Sequence, residues 1–217
     1  LSSPIVLLSQ IFPREGSKLH YRLIGFSFPS TRTDGNIIEI ADGDHNDDES
    51  FKKNLVVSKE TKENKVISEV PLFGRQYTWR VVPAGTNAAK CELHHFSTLT
   101  NSDVDTGNVR FRITKAAEKY KNAYVFLDNS KVLYNMNGEP LWFLPRRPEL
   151  RYEEKSVRDL QLTRQGTITF VSGGGNAYEI NYNGDVLWKA PNKGTVSGDT
   201  TESYNHEFTR LANGHYM

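Results

Sequence analysis

Two segments pair a chemically able side chain with a glycine turn. The first is "YNHEFTRLANGHYM" (204–217), in which His206 precedes an apolar residue and Asn213-Gly214 follows. The second is "VRDLQLTRQGTITF" (157–170), which carries Arg158 and turns at Gly166. An imidazole titrates near neutral pH and can hold an anion, move a proton or attack an electrophile. A guanidinium takes a sulfate or carboxylate in a forked contact. Aligned on their glycines, the two segments bring Arg158 onto His206. Both are candidate substrate-binding residues. The competing readings are a rim histidine bonded to a carbonyl and an arginine paired with neighbouring Asp159. Glu207 and Arg210 read as solvated groups or pairs between repeats, and His215 as a turn residue.

Other clusters carry less. His94 and His95 are adjacent on a strand, so they point to opposite faces and cannot serve one metal. "DGDHNDDE" (42–49) spaces oxygens like a calcium loop, but Asp47 stands where the EF-hand needs Gly and Lys53 where it needs Glu. It reads as a solvated loop between strands. "SGGGNAYEI" (172–180) leads into a strand, not a helix, and is a hairpin connection rather than a phosphate cradle. No metal and no cofactor is expected. The lone Cys91 excludes an internal disulfide and reads as a small buried hydrophobe.

The elements that hold these residues are β-rich. Hydrophobic residues make up 37% of the 217, and the 27 basic residues nearly cancel 26 acidic ones. The balance excludes a generic nucleic-acid binder, which shows a basic stripe. No apolar run approaches the roughly 20 residues of a membrane helix. Only "TKAAEKYKN" (114–122) has helix-forming composition. Elsewhere short β runs are broken by Gly, Asn, Asp and Pro, the pattern of an all-β protein. "SPIVLLSQIFPREG", "LHYRLIGFSF", "NIIEIAD", "NLVVSKET", "NKVISEV", "YTWRVV" and "ELHHFSTLT" read as strands of one unit, residues 1–100. In "YTWRVV", Tyr77, Trp79 and Val81 share the core-facing side. "NSDVDTG" (101–107) reads as a linker.

Beyond the linker the chain repeats. "NGEPLWFLP" (137–145) lies over "NGDVLWKAP" (183–191), 46 residues on, and Gly166 lies over Gly214, 48 residues on. A β period of about 40 to 50 residues is that of propeller blades. One repeat divides into strands at about 158–164, 167–172, 177–182 and 185–190, the first being the innermost. Trp142 and Trp188 then occupy equivalent outer strands as packing wedges. Residues 108–217 hold a little over two blades, whereas closed propellers use about four to eight. The chain therefore reads as the N-terminal part of a longer protein. A two-blade chain that closes as a homo-oligomer is the other arrangement.

The order of a Gly turn, Tyr-x-Trp-x-Val, a loop and Phe-Ser-Thr in residues 74–98 resembles the end of a fibronectin type III domain. "NGDVLWKAP", "VRDLQLTRQGTITF" and "YNHEFTRLANGHYM" resemble the bacterial arylsulfotransferases that do not use adenylyl sulfate. That family implies a β-sandwich followed by a six-bladed propeller, here truncated, in a periplasmic or secreted protein. It implies transfer of a sulfuryl group from a phenolic sulfate donor to a phenol acceptor through a sulfohistidine. By resemblance the nucleophilic histidine belongs to a later blade, so these 217 residues alone are expected to be inactive, with His206 and Arg158 as substrate contacts. The alternative function is a non-catalytic propeller that binds glycan or protein ligands.

Overall fold

The computed structural model describes residues 11–29, 34–100, 111–115, 117–147, 150, 156–201, 203–204 and 206–217. The chain divides into two compact units, Leu1–Thr100 and Asn101–Met217. The described residues are mostly β, with several antiparallel sheets and one α-helix. The linker expected at 101–107 lies outside the described residues, as do the first residues of the segment expected to open with a strand. The rest of that segment forms only a bridge between Phe12 and Ser27.

In the first unit the strands are β1 (Ser17–Leu19), β2 (Leu23–Ser27), β3 (Asn36–Asp42), β4 (Leu55–Thr61), β5 (Lys65–Glu69), β6 (Gln76–Pro83) and β7 (His94–Thr98). Five form a sheet in the order β1-β7-β6-β3-β4, and β2 pairs with β5 separately. All pairs are antiparallel except β1 with β7. Phe26 of β2 meets the rings of Trp79 on β6 at 5.0 Å and Phe96 on β7 at 6.0 Å. The two sheets thus face each other across a buried aromatic layer, where each ring removes a large apolar area from water. Tyr77 belongs to this layer and ties the β5–β6 connection. Its hydroxyl donates to the Leu72 carbonyl at 3.0 Å and accepts the Leu72 N–H at 2.9 Å.

The other face of the large sheet is buried too, which alternation along β6 did not foretell. Thr78 and Arg80 are 0% and 1% exposed. Arg80 is covered by α1 (Asp48–Lys53), and Thr78 by the loop before it, through Gly43 and His45. Of the solvated loop expected at 42–49, residues 43–47 are a loop and Asp48 and Glu49 belong to the helix. Asp47 accepts the Ser50 N–H at 2.8 Å, Asp48 and Glu49 fill the first turn, and Lys52 and Lys53 the last. A capped helix with its dipole complemented at both ends forms even when short, provided one face is anchored. The anchor is Phe51, whose ring lies under the Arg80 guanidinium at 4.3 Å. Arg80 also bonds Glu39 at 2.8 Å and Asp48 at 2.6 Å. Among its described residues, the segment expected to favour a helix, 114–122, holds a 3₁₀ turn at Glu118–Tyr120 and no α-helix.

The acidic stretch therefore answers cations of its own unit. Asp42 pairs with Arg75 at 2.8 Å, Asp48 with Arg80, and Asp44 lies 3.4 Å from His95 Nε2. As strand alternation requires, the two histidines part: His94 lies 5.1 Å from the Trp79 ring, while His95 faces the loop after β3. Glu15 accepts both the His95 backbone N–H and Nδ1 at 2.9 Å, and Nε2 reaches the His45 carbonyl at 3.0 Å.

The second unit holds two antiparallel sheets. One is β8 (Tyr124–Leu127), β9 (Val132–Asn135) and β10 (Pro140–Phe143). The other is the meander β11 (Val157–Leu162), β12 (Ile168–Ser172), β13 (Asn176–Ile180) and β14 (Val186–Lys189). The four strands read from the repeat are those of the meander. The described residues form no closed barrel or propeller ring. After β14, Arg210 bridges Tyr216 as Leu162 pairs with Ile168, 48 positions earlier. Leu211 N–H donates to His215 as Thr163 N–H does to Thr167.

The doubled phrase is a turn. Asn135 Oδ1 accepts the N–H groups of Asn137 and Glu139, both at 3.0 Å, and its amide donates to Glu139 at 3.0 Å. Asn181 does the same with Asn183 and Asp185, at 2.9, 3.0 and 2.9 Å. Gly138 and Gly184 both have φ of 82°, the left-handed region where a side chain is strained. The preceding repeat docks on the second turn. Trp142 Nε1–H donates to the Tyr182 carbonyl at 2.7 Å. Arg147 reaches the Asn183 carbonyl at 3.0 Å and Asp185 at 3.2 Å. Trp188 packs forward in turn, stacked on Tyr216 at 4.0 Å and Phe208 at 5.8 Å. Both tryptophans stand on outer strands and serve packing between repeats.

Burial works against a charge on His95, but its bonds to the His45 carbonyl and the Glu15 carboxylate outweigh burial and raise its pKa above 6.5. A raised folded-state pKa stabilises fully below the unfolded value and loses that stabilisation as pH rises through the folded one. Thermal unfolding of wild type and His95→Gln between pH 5 and 9 checks this. The variant is expected to be less stable at pH 5 and to converge on wild type at pH 9; a gap independent of pH contradicts it.

Candidate functional site

β11 is built to break its own register. Its pairing with β12 shifts between Arg158 and Gln161, and Asp159 adopts φ of 56°, which a short polar side chain tolerates better than most. Such a bulge twists a strand and re-aims its side chains. The bulge is held from both sides. Asp128, just after β8, accepts the N–H groups of Asp159 at 2.8 Å and Leu160 at 3.1 Å. The Asp159 carboxylate accepts the Phe208 N–H at 2.8 Å and the Gln161 amide. Asp159 is thus taken up by the backbone and by Gln161 and does not form the expected salt bridge with Arg158.

Arg158 is exposed and its guanidinium meets no partner among the described residues. It opens on a cavity of about 350 Å³ lined by Ser156, Val171, Ser172, Gly173, Gly175, Ser203 and Tyr204. Ser172 ends β12 and is 1% exposed. Its hydroxyl has no hydrogen-bond partner among the described residues. Burying a hydroxyl unpaired is costly. The far wall is strapped down: Tyr204 N–H donates to the Gly175 carbonyl at 3.1 Å, and its hydroxyl to the Pro191 carbonyl at 2.7 Å.

His206 is placed differently. It is exposed, with φ of 71°, and is not among the residues lining this cavity. The 48-residue register that aligns it with Arg158 holds along the backbone of the described residues. Glu207 is exposed. Arg210 pairs across repeats with Glu179 at 2.6 Å. His215 stands in the turn, its N–H donating to Asn213 Oδ1 at 3.0 Å. Among the described residues no group of three or more His, Cys, Asp or Glu side chains could hold a metal ion. Half-buried Cys91 has its thiol pKa pushed up by burial, which makes it a poor nucleophile.

The sequence reading missed Glu179, whose side chain is 2% exposed. On β13 it shares a face with Ala177, and alternation in "NAYEI" puts Tyr178 and Ile180 inward and Glu179 outward; both faces are buried, which the sequence does not signal. Thr167, Arg210 and Tyr216 all bond it. Burial opposes its charge, but these donors outweigh burial and lower its pKa. Burial and the adjacent carboxylate push the Tyr216 phenol up to about 12. The group pins the last described ribbon to the preceding sheet, beneath the Trp188, Phe208 and Tyr216 rings.

Comparison of the chain with protein-family models, with curated proteins and with solved structures finds no match.

Breaking a buried ion pair by removing one partner costs about 3 kcal/mol or more. Glu179→Gln is expected to lower unfolding stability in denaturant by that order. Tyr216→Phe, which leaves Arg210 in place, is expected to cost about 1 kcal/mol. Equal stability of Glu179→Gln and wild type contradicts the pinning role.

Proposed function

We propose that the chain contributes a fibronectin type III-like sandwich and the first blades of a propeller to a protein that transfers sulfuryl groups between phenols. The order β7-β6-β3-β4 facing the β2-β5 pair, with Tyr77 tied back to Leu72, supports the first part, since a tyrosine near the start of this strand bonds upstream in immunoglobulin-like sandwiches. The four-stranded meander, repeated turns and packing tryptophans support the second.

The observation that carries the activity is the register of "NHEFTRLANG". It matches β11 and its turn at 48 residues, with His206 exposed ahead of the ribbon that the Arg210–Tyr216 bridge closes. In the proposed reaction the sulfur–oxygen bond of the donor breaks, a histidine nitrogen forms the new bond to sulfur, and the phenolate leaves. The acceptor phenol then takes the sulfuryl group, its O–H proton passing to the solvent or the departed phenolate, and the free imidazole is restored. His206 is not the nucleophile in this scheme. It donates to the equatorial oxygens, whose charge grows in the transition state.

The intact gene product, supplied with p-nitrophenyl sulfate and phenol, is the test. Acceptor-dependent release of p-nitrophenol is expected, falling about 100-fold in His206→Ala if one oxyanion donor is lost. A folded wild-type protein without acceptor-dependent release overturns the reading.

A further inference from the structure

The Arg158 cavity needs a ligand that the transfer reaction does not explain. It excludes His206, and its chemistry is specific. One guanidinium stands without a partner among the described residues at its mouth. One buried hydroxyl, Ser172, stands unpaired in its wall. Two further hydroxyls, Ser156 and Ser203, line it. No carboxylate is among the described lining residues, so an anion meets no repulsion from them. The wall is built and not incidental. A Cβ on Gly175 would lie 2.7 Å from Ser203 Cβ, so the Ser203–Tyr204 strap lies this close only over a glycine. The Tyr204 hydroxyl is spent on Pro191 and its ring on Phe208, edge-on at 5.9 Å, so the strap is held from its far side.

The size selects among anions. About 350 Å³ falls within the range of small-molecule sites, roughly 300–1,000 Å³. An inorganic oxyanion would leave most of it empty. One guanidinium suits a single planar carboxylate, which takes both arms of the fork. The serine hydroxyls call for a ligand carrying several hydroxyls.

We propose that this cavity binds a carboxylated monosaccharide, with Arg158 on the carboxylate and Ser156, Ser172 and Ser203 around the sugar hydroxyls. This does not depend on the transferase reading, and its failure would leave that reading untouched.

The 217-residue chain is titrated with glucuronate, glucose and inorganic sulfate, with binding followed by calorimetry. Saturable 1:1 binding of glucuronate is expected. Glucose and sulfate should each bind at least about tenfold more weakly, since each lacks one half of the recognition. Arg158→Ala should weaken glucuronate by about tenfold or more, and Arg158→Lys, which keeps charge but not the fork, by less. Ser172→Ala should weaken glucuronate while the chain stays folded by thermal unfolding. No glucuronate binding to the folded wild-type chain overturns the proposal. So does binding that Arg158→Ala leaves unchanged, or sulfate binding as tight as glucuronate.

Discussion

The close approach at Gly184 is the constraint from which the second unit follows. Its φ of 82° closes the turn between β13 and β14, and its missing side chain leaves room for the preceding repeat. A Cβ there would stand 2.9 Å from Pro145 Cγ, closer than carbon atoms pack. Gly138, in the equivalent turn, is crowded in the same way, with the Phe111 carbonyl oxygen 2.4 Å from where its Cβ would be. With the seam closed, Trp142 reaches the Tyr182 carbonyl and Arg147 reaches Asp185. Both bonds need the two repeats to lie within one side chain of each other.

Buried polar groups finish what apolar packing begins. Apolar layers alone tolerate sliding, because dispersion has no direction. Glu179 accepts three donors, two of them from the following ribbon, and an unpaired carboxylate in that place would be costly. Arg80 plays the corresponding part in the first unit, where Glu39 and Asp48 fix helix α1 on the sheet. Asp128 and Asp159 use the same logic on backbone N–H groups, each holding a segment of the following repeat. The bulge they stabilise is what leaves Arg158 facing the cavity and free of Asp159.

Much of this was legible in the chain. Strand positions followed from alternation and turn residues, and the meander from a 46- to 48-residue period, because a β-repeat writes its turn chemistry into Asn and Gly. The tryptophans declared their packing role by recurring at one place in the phrase. What stayed hidden depends on contacts distant in sequence. Helix α1 is six residues long, too short for a periodic signal, and its cap is buried in an acidic run that mimics a loop. The burial of Arg80 depends on that helix. The left-handed φ of 71° at His206 was also illegible, since a register equates backbone positions and says nothing of their dihedral angles. The Ser172 hydroxyl could be recognised only once its neighbours were known.

The seam is tested most directly by comparing two glycines. Gly184 and Gly166 both have positive φ, so alanine strains either backbone by about 1–2 kcal/mol. Only at Gly184 does the new methyl meet the neighbouring repeat; around Gly166 nothing lies within 4 Å. Denaturant unfolding should show Gly184→Ala losing at least about 1 kcal/mol more than Gly166→Ala, since overpacking adds to the strain. Equal losses at the two positions would contradict a second unit held by close repeat-to-repeat contact.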